Sequence, residues 1–146
     1  MKESSSLAEY ILNKYSEKEI ASIIKDYGEE RNYRRIAKKI VEYRKKNKIE
    51  STLQFKKIIF DAINFNDIKV LSRVFQSIRI AVNDEINNIV NTLHKTIQYL
   101  SIGGKIGVIS FHSIEDRAVK HFFKDNAIKS MKNIDKNIKY KIKILT

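Results

Sequence analysis

Along most of this chain apolar residues recur at steps of three and four, the period of an α-helix. Residues 7–15 (LAEYILNKY) predict a short helix, after a polar start over 1–6 that is expected to be disordered. Ser16-Glu17-Lys18-Glu19 has the form of a capping box: the Ser hydroxyl accepts a first-turn N–H and the Glu carboxylate bonds back. It opens a helix to about Tyr27, with Ile20, Ile23 and Ile24 inward and Gly28 as the stop. Residues 29–47 show the clearest amphipathic pattern. Tyr33, Ile36, Ile40 and Tyr43 mark one side, and Arg31, Arg34, Arg35, Lys38, Lys39, Lys45 and Lys46 cover the other. Ser51-Thr52-Leu53-Gln54 is a second capping box, for a helix to about Ile63 with Leu53, Ile58, Ile59 and Ala62 apolar. Asn64–Lys69 is turn-like.

From Ser72 to Leu100 the spacing predicts one long helix. Val74, Ile78, Val82, Ile86, Ile89, Leu93, Ile97 and Leu100 follow one stripe, and Ser72, Gln76, Arg79 and Asn83 follow another. Gly103-Gly104 ends it. The period then changes. Lys105–Phe111 (KIGVISF) is a short apolar run with β-branched residues, which fits a buried strand of a parallel sheet. Ser113-Ile114-Glu115-Asp116 is a third capping pattern, opening a helix over 114–125 with Ala118, Val119, Phe122 and Phe123 inward. Residues 126–146 form a basic tail with one weak candidate strand near Tyr140–Leu145. The expected fold class is therefore mostly α, closing on helix–strand–helix. A parallel strand needs neighbours on both sides to satisfy its backbone groups, and this chain offers only the weak one.

Composition narrows the chemistry. The 146 residues include no Cys, which excludes a disulfide framework, a thiol nucleophile and thiolate metal sites. His94, His112 and His121 lack ligand spacing, so no metal site is expected. No stretch approaches the roughly 20 apolar residues of a membrane span, and the start lacks a signal peptide's apolar core. The expected compartment is the cytosol. The formal charge of +12 is concentrated in two segments, the rest of the chain being slightly acidic: 31–48 carries nine Lys/Arg against Glu42, and 120–146 carries eight Lys against Asp125 and Asp135. Concentrated cations of this kind point to a polyanion, nucleic acid first, although a solvated Lys-rich face has the same composition.

Three constellations could carry function. The Lys/Arg face of helix 29–47 (Arg31, Arg34, Arg35, Lys38, Lys39) suits phosphate-backbone contacts. The face Ser72, Arg73, Gln76, Arg79, Asn83 presents forked donors for phosphates or base edges, and would serve equally as a polar seam between helices. His112 and Ser113, with Glu115, Asp116 and Arg117, stand where a strand would run into a helix, the edge at which open α/β sheets bind ligands. There Ser113 is equally a helix cap. A hydrolytic triad is excluded in practice, because Ser113 adjoins His112 with no nucleophile elbow. No G-x-G-x-x-G or G-x-x-x-x-G-K-[ST] loop is encoded.

Two of these stretches resemble a known family. SRVFQSIRIAVNDEINNI (72–89) and LSIGGKIGVISFHSIEDRAVKHFFK (100–124) are similar to the RsmH (MraW) family pattern TRxFQAxRIxVNxEL followed by L-x-P-G-G-x-L-x-V-I-S-F-H-S-L-E-D-R. YSEKEIASIIKDYGEERNYRRIAKKIVEYR (15–44) resembles a helical segment of the same family. The resemblance implies an S-adenosylmethionine-dependent methyltransferase acting on N4 of a cytosine in 16S ribosomal RNA. It implies a Rossmann-like domain with an inserted helical substrate-recognition domain. On that comparison 7–85 is the inserted RNA-recognition domain and 86–125 the C-terminal part of the Rossmann-like domain, a partial helix–strand–helix segment. The family's glycine-rich loop and ribose-binding acidic residue have no counterpart here, nor does its C-terminal N-P-R-A-R-S segment, so no catalytic or cofactor-binding residue is carried over. Lys69-Val70-Leu71 replaces the usual His-Pro-Ala. The expectation is a truncated enzyme segment, inactive alone, whose cofactor-binding half lies in other sequence or in a complementing N-terminal chain. Its expected partners are ribosomal RNA and the small ribosomal subunit, with no membrane. Arg73, Gln76, Arg79, Asn83, His112 and Ser113 are the candidates for contact with the RNA or target base, since they fall within the matched motifs. The alternative from another class is a basic helical RNA-binding remnant without catalysis.

Overall fold

The computed structural model describes residues 2–101 and 103–127, so the basic tail beyond 127 and the weak strand near 140–145 lie outside the described residues. The described residues form seven α-helices and no β-strand: α1 (Lys2–Lys14), α2 (Glu17–Gly28), α3 (Tyr33–Arg44), α4 (Thr52–Ile63), α5 (Ile68–Asn83), α6 (Glu85–Tyr99) and α7 (Ser113–Asn126). They divide into two units, at Asp84/Glu85. Among them no helix is long and apolar enough to cross a membrane.

The first unit is a five-helix bundle around isoleucine. Ile11 and Leu12 of α1, Ile20 and Ile24 of α2, Ile36 and Ile40 of α3, Ile58 and Ile59 of α4, and Val74 and Ile78 of α5 are all buried in one cluster. Both predicted capping boxes form. The Glu19 N–H donates to Ser16 Oγ and Ser16 N–H to Glu19 Oε2; the Gln54 N–H donates to Ser51 Oγ and Ser51 N–H to Gln54 Oε1. Leu53, expected inward, is 75% exposed, because it sits in the outward first turn of α4 and Phe55 takes the inner position.

Several predicted boundaries shift, each for a local reason. α1 begins at Lys2 rather than at residue 7, in a stretch that carries no Gly or Pro to stop a helix. Gly28 is the last helical residue of α2, and the left-handed stop is Glu29, at φ 49°. The glycine has another use: a Cβ there would stand 2.9 Å from the Arg73 carbonyl oxygen and 3.2 Å from Ser77 Cβ. It lets α2 lie against α5, the helix it packs on most extensively. Gly28→Ala is expected to destabilise the chain by about 1–2 kcal/mol, overpacking exceeding the gain in helix propensity. A urea-unfolding midpoint checks this. Helix α3 begins at Tyr33 rather than 29, because Glu30 turns inward. α5 begins at Ile68 rather than Ser72: Asp67 Oδ1 accepts from the Lys69 and Val70 N–H groups, so Lys69-Val70-Leu71 is helical first turn.

The predicted long helix is two helices. Asp84 adopts a left-handed conformation (φ 50°) and its N–H donates to Ile80 O, ending α5. Asp tolerates that conformation better than most residues, and the apolar stripe gives no sign of it because the period carries on across the break. In the second unit α6 packs on α7 through Leu93, Ile97, Val119 and Phe122, a thin core with Ile106 against it. Residues 105–111, expected to form a buried strand, carry no regular secondary structure. Ile109 is 86% and Phe111 90% exposed. A parallel strand without paired neighbours has nothing to satisfy its N–H and C=O groups except water.

Candidate nucleic-acid interface

Helix α3 is cationic because its inner positions are few and aliphatic. Ile36, Ala37 and Ile40 are buried, while Arg34, Arg35 and Lys38 project into solvent, Lys39 is half-buried, and Arg31 is exposed just before the helix. Glu42 is the acidic residue of α3, 4.0 Å from Lys38 Nζ and exposed, too weak a pair to neutralise the face. Arg34 lies over the Tyr33 ring at 5.4 Å, which holds its guanidinium near the surface. Arg44 is not part of this face. Its guanidinium donates to Leu12 O (2.8 Å) and to Tyr15 O, carbonyls at the end of α1, where a cation also meets the helix dipole.

The polar series on α5 separates into two roles. Arg73 turns toward the bundle: its Nε donates to Glu30 Oε2 at 2.8 Å and a terminal nitrogen reaches the same oxygen. Glu30 is 2% exposed, and its other oxygen accepts from the Asn32 N–H (2.8 Å) and the Asn32 amide (2.9 Å). Burial pushes this carboxyl up. The Asn32 backbone N–H, the Arg73 guanidinium and the Asn32 amide outweigh it, so the group sits below the usual carboxylate range. Arg73 is thus bound into a strap that ties the α2–α3 turn to α5. Gln76 is half-buried.

Arg79 and Asn83, one turn apart, line a cavity of about 530 Å³ in the helical unit. Its floor is Leu12, Phe55, Phe75, Ile78 and Val82, with the two Phe rings 5.0 Å apart and tilted by 49°. Glu9, Glu50, Ser51 and Thr52 complete the rim. Asn13 fixes the link that carries Glu50 and Ser51, donating to Ile49 O (2.9 Å) and accepting from Ile49 N–H (3.0 Å). Lys48 bridges Glu9 (2.5 Å) and Glu50 (3.6 Å), and the Glu9 carboxylate foremost holds its ammonium above the usual range.

In the second unit the predicted cap moves back by one residue. His112, not Ser113, is the N-cap of α7, with Nδ1 accepting from the Glu115 N–H at 3.4 Å, while Glu115 Oε2 accepts from Phe111 N–H at 2.9 Å. Ser113 is the exposed first residue of the helix. His112 Nε2 is buried 3.1 Å from Glu115 Oε1, outside hydrogen-bonding alignment. Glu85, His112 and Glu115 bring one ligand atom each within 4.8 Å. Both carboxylates, however, lie in helical first turns, where the positive dipole end attracts them and repels a cation. Of the three, Glu115 and His112 take part in the cap of α7.

The sequence profile of the MraW methylase family matches residues 1–146. The chain belongs to that family. Similar curated proteins bear the name Ribosomal RNA small subunit methyltransferase H. That of Rickettsia canadensis (strain McKiel) is 45% identical over 124 residues, covering 84% of this chain and 40% of the relative. That of Caldicellulosiruptor saccharolyticus is 45% identical over 134 residues, 88% of this chain and 43% of the relative. That of Halothermothrix orenii is 44% identical over 124 residues, 82% and 40%. The chain therefore spans about two-fifths of the length of these MraW methylase relatives.

Sequence reasoning missed Glu30 and the aromatic floor of the cavity. Glu30 follows a helix stop amid charged residues and pairs with a partner 43 positions away, so no local spacing announces it. Phe55 and Phe75 carry a usable signal, each lying on the buried face of a predicted helix beside a polar position.

Proposed function

We propose that this chain is the RNA-recognition part of a small-subunit ribosomal RNA methyltransferase whose acceptor is N4 of a cytosine. The observation that carries the reading is α3, whose Arg34, Arg35 and Lys38 face solvent from a fully buried aliphatic seat, in a chain whose relatives are named ribosomal RNA small subunit methyltransferases. Such a face takes RNA through its phosphates, in register set by the bundle. In the whole enzyme S-adenosylmethionine supplies the methyl group.

On this reading the described residues do not seat that cofactor. Gly103 and Gly107 stand in open space, Gly28 packs on Arg73, and Gly104 packs on Leu100, so no glycine forms a cradle for a nucleoside. Residues 104–110 make no sheet edge for one. On this reading the donor pocket belongs to sequence outside this chain, supplied by a complementing segment, and the chain alone transfers no methyl group. The non-catalytic RNA-binding alternative draws on the contrast between a well-filled helical unit and the thin core of the second unit. Restored methylation on adding a complementing N-terminal segment decides against it.

Binding of a labelled ribosomal RNA fragment, followed by anisotropy across salt concentrations, tests the recognition role. Five phosphate contacts from Arg31, Arg34, Arg35, Lys38 and Lys39 predict a log–log salt slope of about −3.5 for single-stranded RNA. Absence of binding at low salt overturns the proposal.

A further inference from the structure

The turn that joins α4 to α5 holds out an aromatic ring that the bundle does not use. Phe65 is 70% exposed, although aromatic rings contribute most when buried. Its backbone is pinned at both ends. Asn64 ends α4 in the left-handed conformation (φ 57°), the Asp67 N–H donates to Phe65 O (3.2 Å), and Asp67 Oδ1 is taken up in capping α5. Beside the ring lies a hollow of about 420 Å³, lined by Phe60, Asp61, Asn64, Phe65 and Asn66. The Asp61, Asn64 and Asn66 side chains are exposed and have no hydrogen-bond or ion-pair partner among the described residues. Cations accompany them: Lys56 Nζ lies over the Phe60 ring at 5.6 Å, Lys57 is exposed one turn before Asp61, and Lys69 is exposed in the first turn of α5.

Each feature narrows the ligand. The Asp61 carboxylate turns an anion away from the hollow and accepts from N–H groups without donating. The open ring calls for a flat partner, and the lysines call for phosphates outside the hollow. Guanine alone among the RNA bases presents two adjacent donors on one edge, N1–H and N2–H, which match the two oxygens of a carboxylate. Uracil offers a single donor there, and adenine and cytosine an amine beside an acceptor. We propose that this turn binds one unstacked guanine of single-stranded RNA, its ring on Phe65, its N1–H and N2–H edge on Asp61, and its neighbouring phosphates toward Lys56, Lys57 and Lys69. The inference rests on the RNA-recognition reading above and gives it a base-selective contact outside α3.

The test uses the full chain and fluorescein-labelled octauridine, either plain or with one central guanosine or adenosine, followed by anisotropy. The guanosine octamer is expected to bind about tenfold more tightly than octauridine, with the adenosine octamer between them. Asp61→Asn is expected to bring the guanosine octamer down to the adenosine one. Phe65→Ala is expected to lower both purine octamers toward octauridine. Both side chains are exposed, so neither variant removes a core contact. Arg34→Ala/Arg35→Ala is expected to weaken all three octamers alike. Guanosine monophosphate as competitor separates RNA from a free nucleotide. Displacement only at concentrations far above that of the octamer supports the proposal, and displacement at equal concentration overturns it in favour of a free nucleotide. Equal affinity of the unmodified chain for the guanosine octamer and octauridine overturns the guanine site while RNA recognition by α3 stands. Retention of the full preference by both turn variants overturns it as well. Failure of all three octamers to bind overturns the underlying reading.

Discussion

Arg73→Ala is expected to lower the stability of the chain by about 2–3 kcal/mol, a large share of what a domain of this size possesses. The substitution leaves Glu30 buried with the two Asn32 donors and no countercharge. The figure lies below the full cost of breaking a buried pair because the Arg73 side chain is 41% exposed and part of its field is already screened. Urea unfolding followed by circular dichroism measures it. A pH series adds a second readout. Glu30 titrates below its ordinary value of 4.5 in the folded chain, so its contribution is complete above that value and is lost as pH falls through the folded pKa. Loss of Arg73 is expected to flatten this acid limb. An Arg73→Ala chain with an unchanged midpoint and acid limb contradicts the strap, and returns Arg73 to the set of side chains available to RNA.

Neutralising the α3 face should have the opposite profile. Replacing Arg31, Arg34, Arg35 and Lys38 with alanine is expected to change the unfolding free energy by no more than about 0.5 kcal/mol per substitution, since these side chains are exposed. RNA affinity should fall by more than about a hundredfold at low salt, and the salt slope should become shallower by about 3. The two variants together separate a cation that holds the fold from cations that hold a ligand, a distinction that charge counting cannot make.

Much of the bundle was legible because burial follows period. Ile20, Ile24, Ile36, Ile40, Ile58, Ile59, Val74 and Ile78 were placed inward by spacing alone, and all are buried. The Ser16 and Ser51 boxes were readable because both partners lie within one turn. What escaped was either conformational or long-range. Asp84 interrupts the chain by a left-handed backbone that needs no Gly or Pro, and the stripe from Val82 to Ile86 continues as if nothing had happened. The 105–111 run has the composition of a buried strand, but composition supplies no neighbouring strand, and none is found among the described residues. On the site side, the cationic face was visible in the sequence. The fate of Arg73 was not, because it depends on Glu30, brought to it by the Gly28 close approach of α2 to α5. Arg79 and Asn83 were singled out for their donors, whereas the cavity that gives them a shared setting required α1 and α4 to be in place.

The central claim is that these residues recognise RNA while the methyl-donor pocket is built from sequence elsewhere. Titration calorimetry of S-adenosylmethionine into the purified chain tests it most directly. The account predicts no heat of binding at up to millimolar cofactor, while the same preparation binds RNA in a salt-dependent manner. Saturable binding of the cofactor in the micromolar range would contradict it.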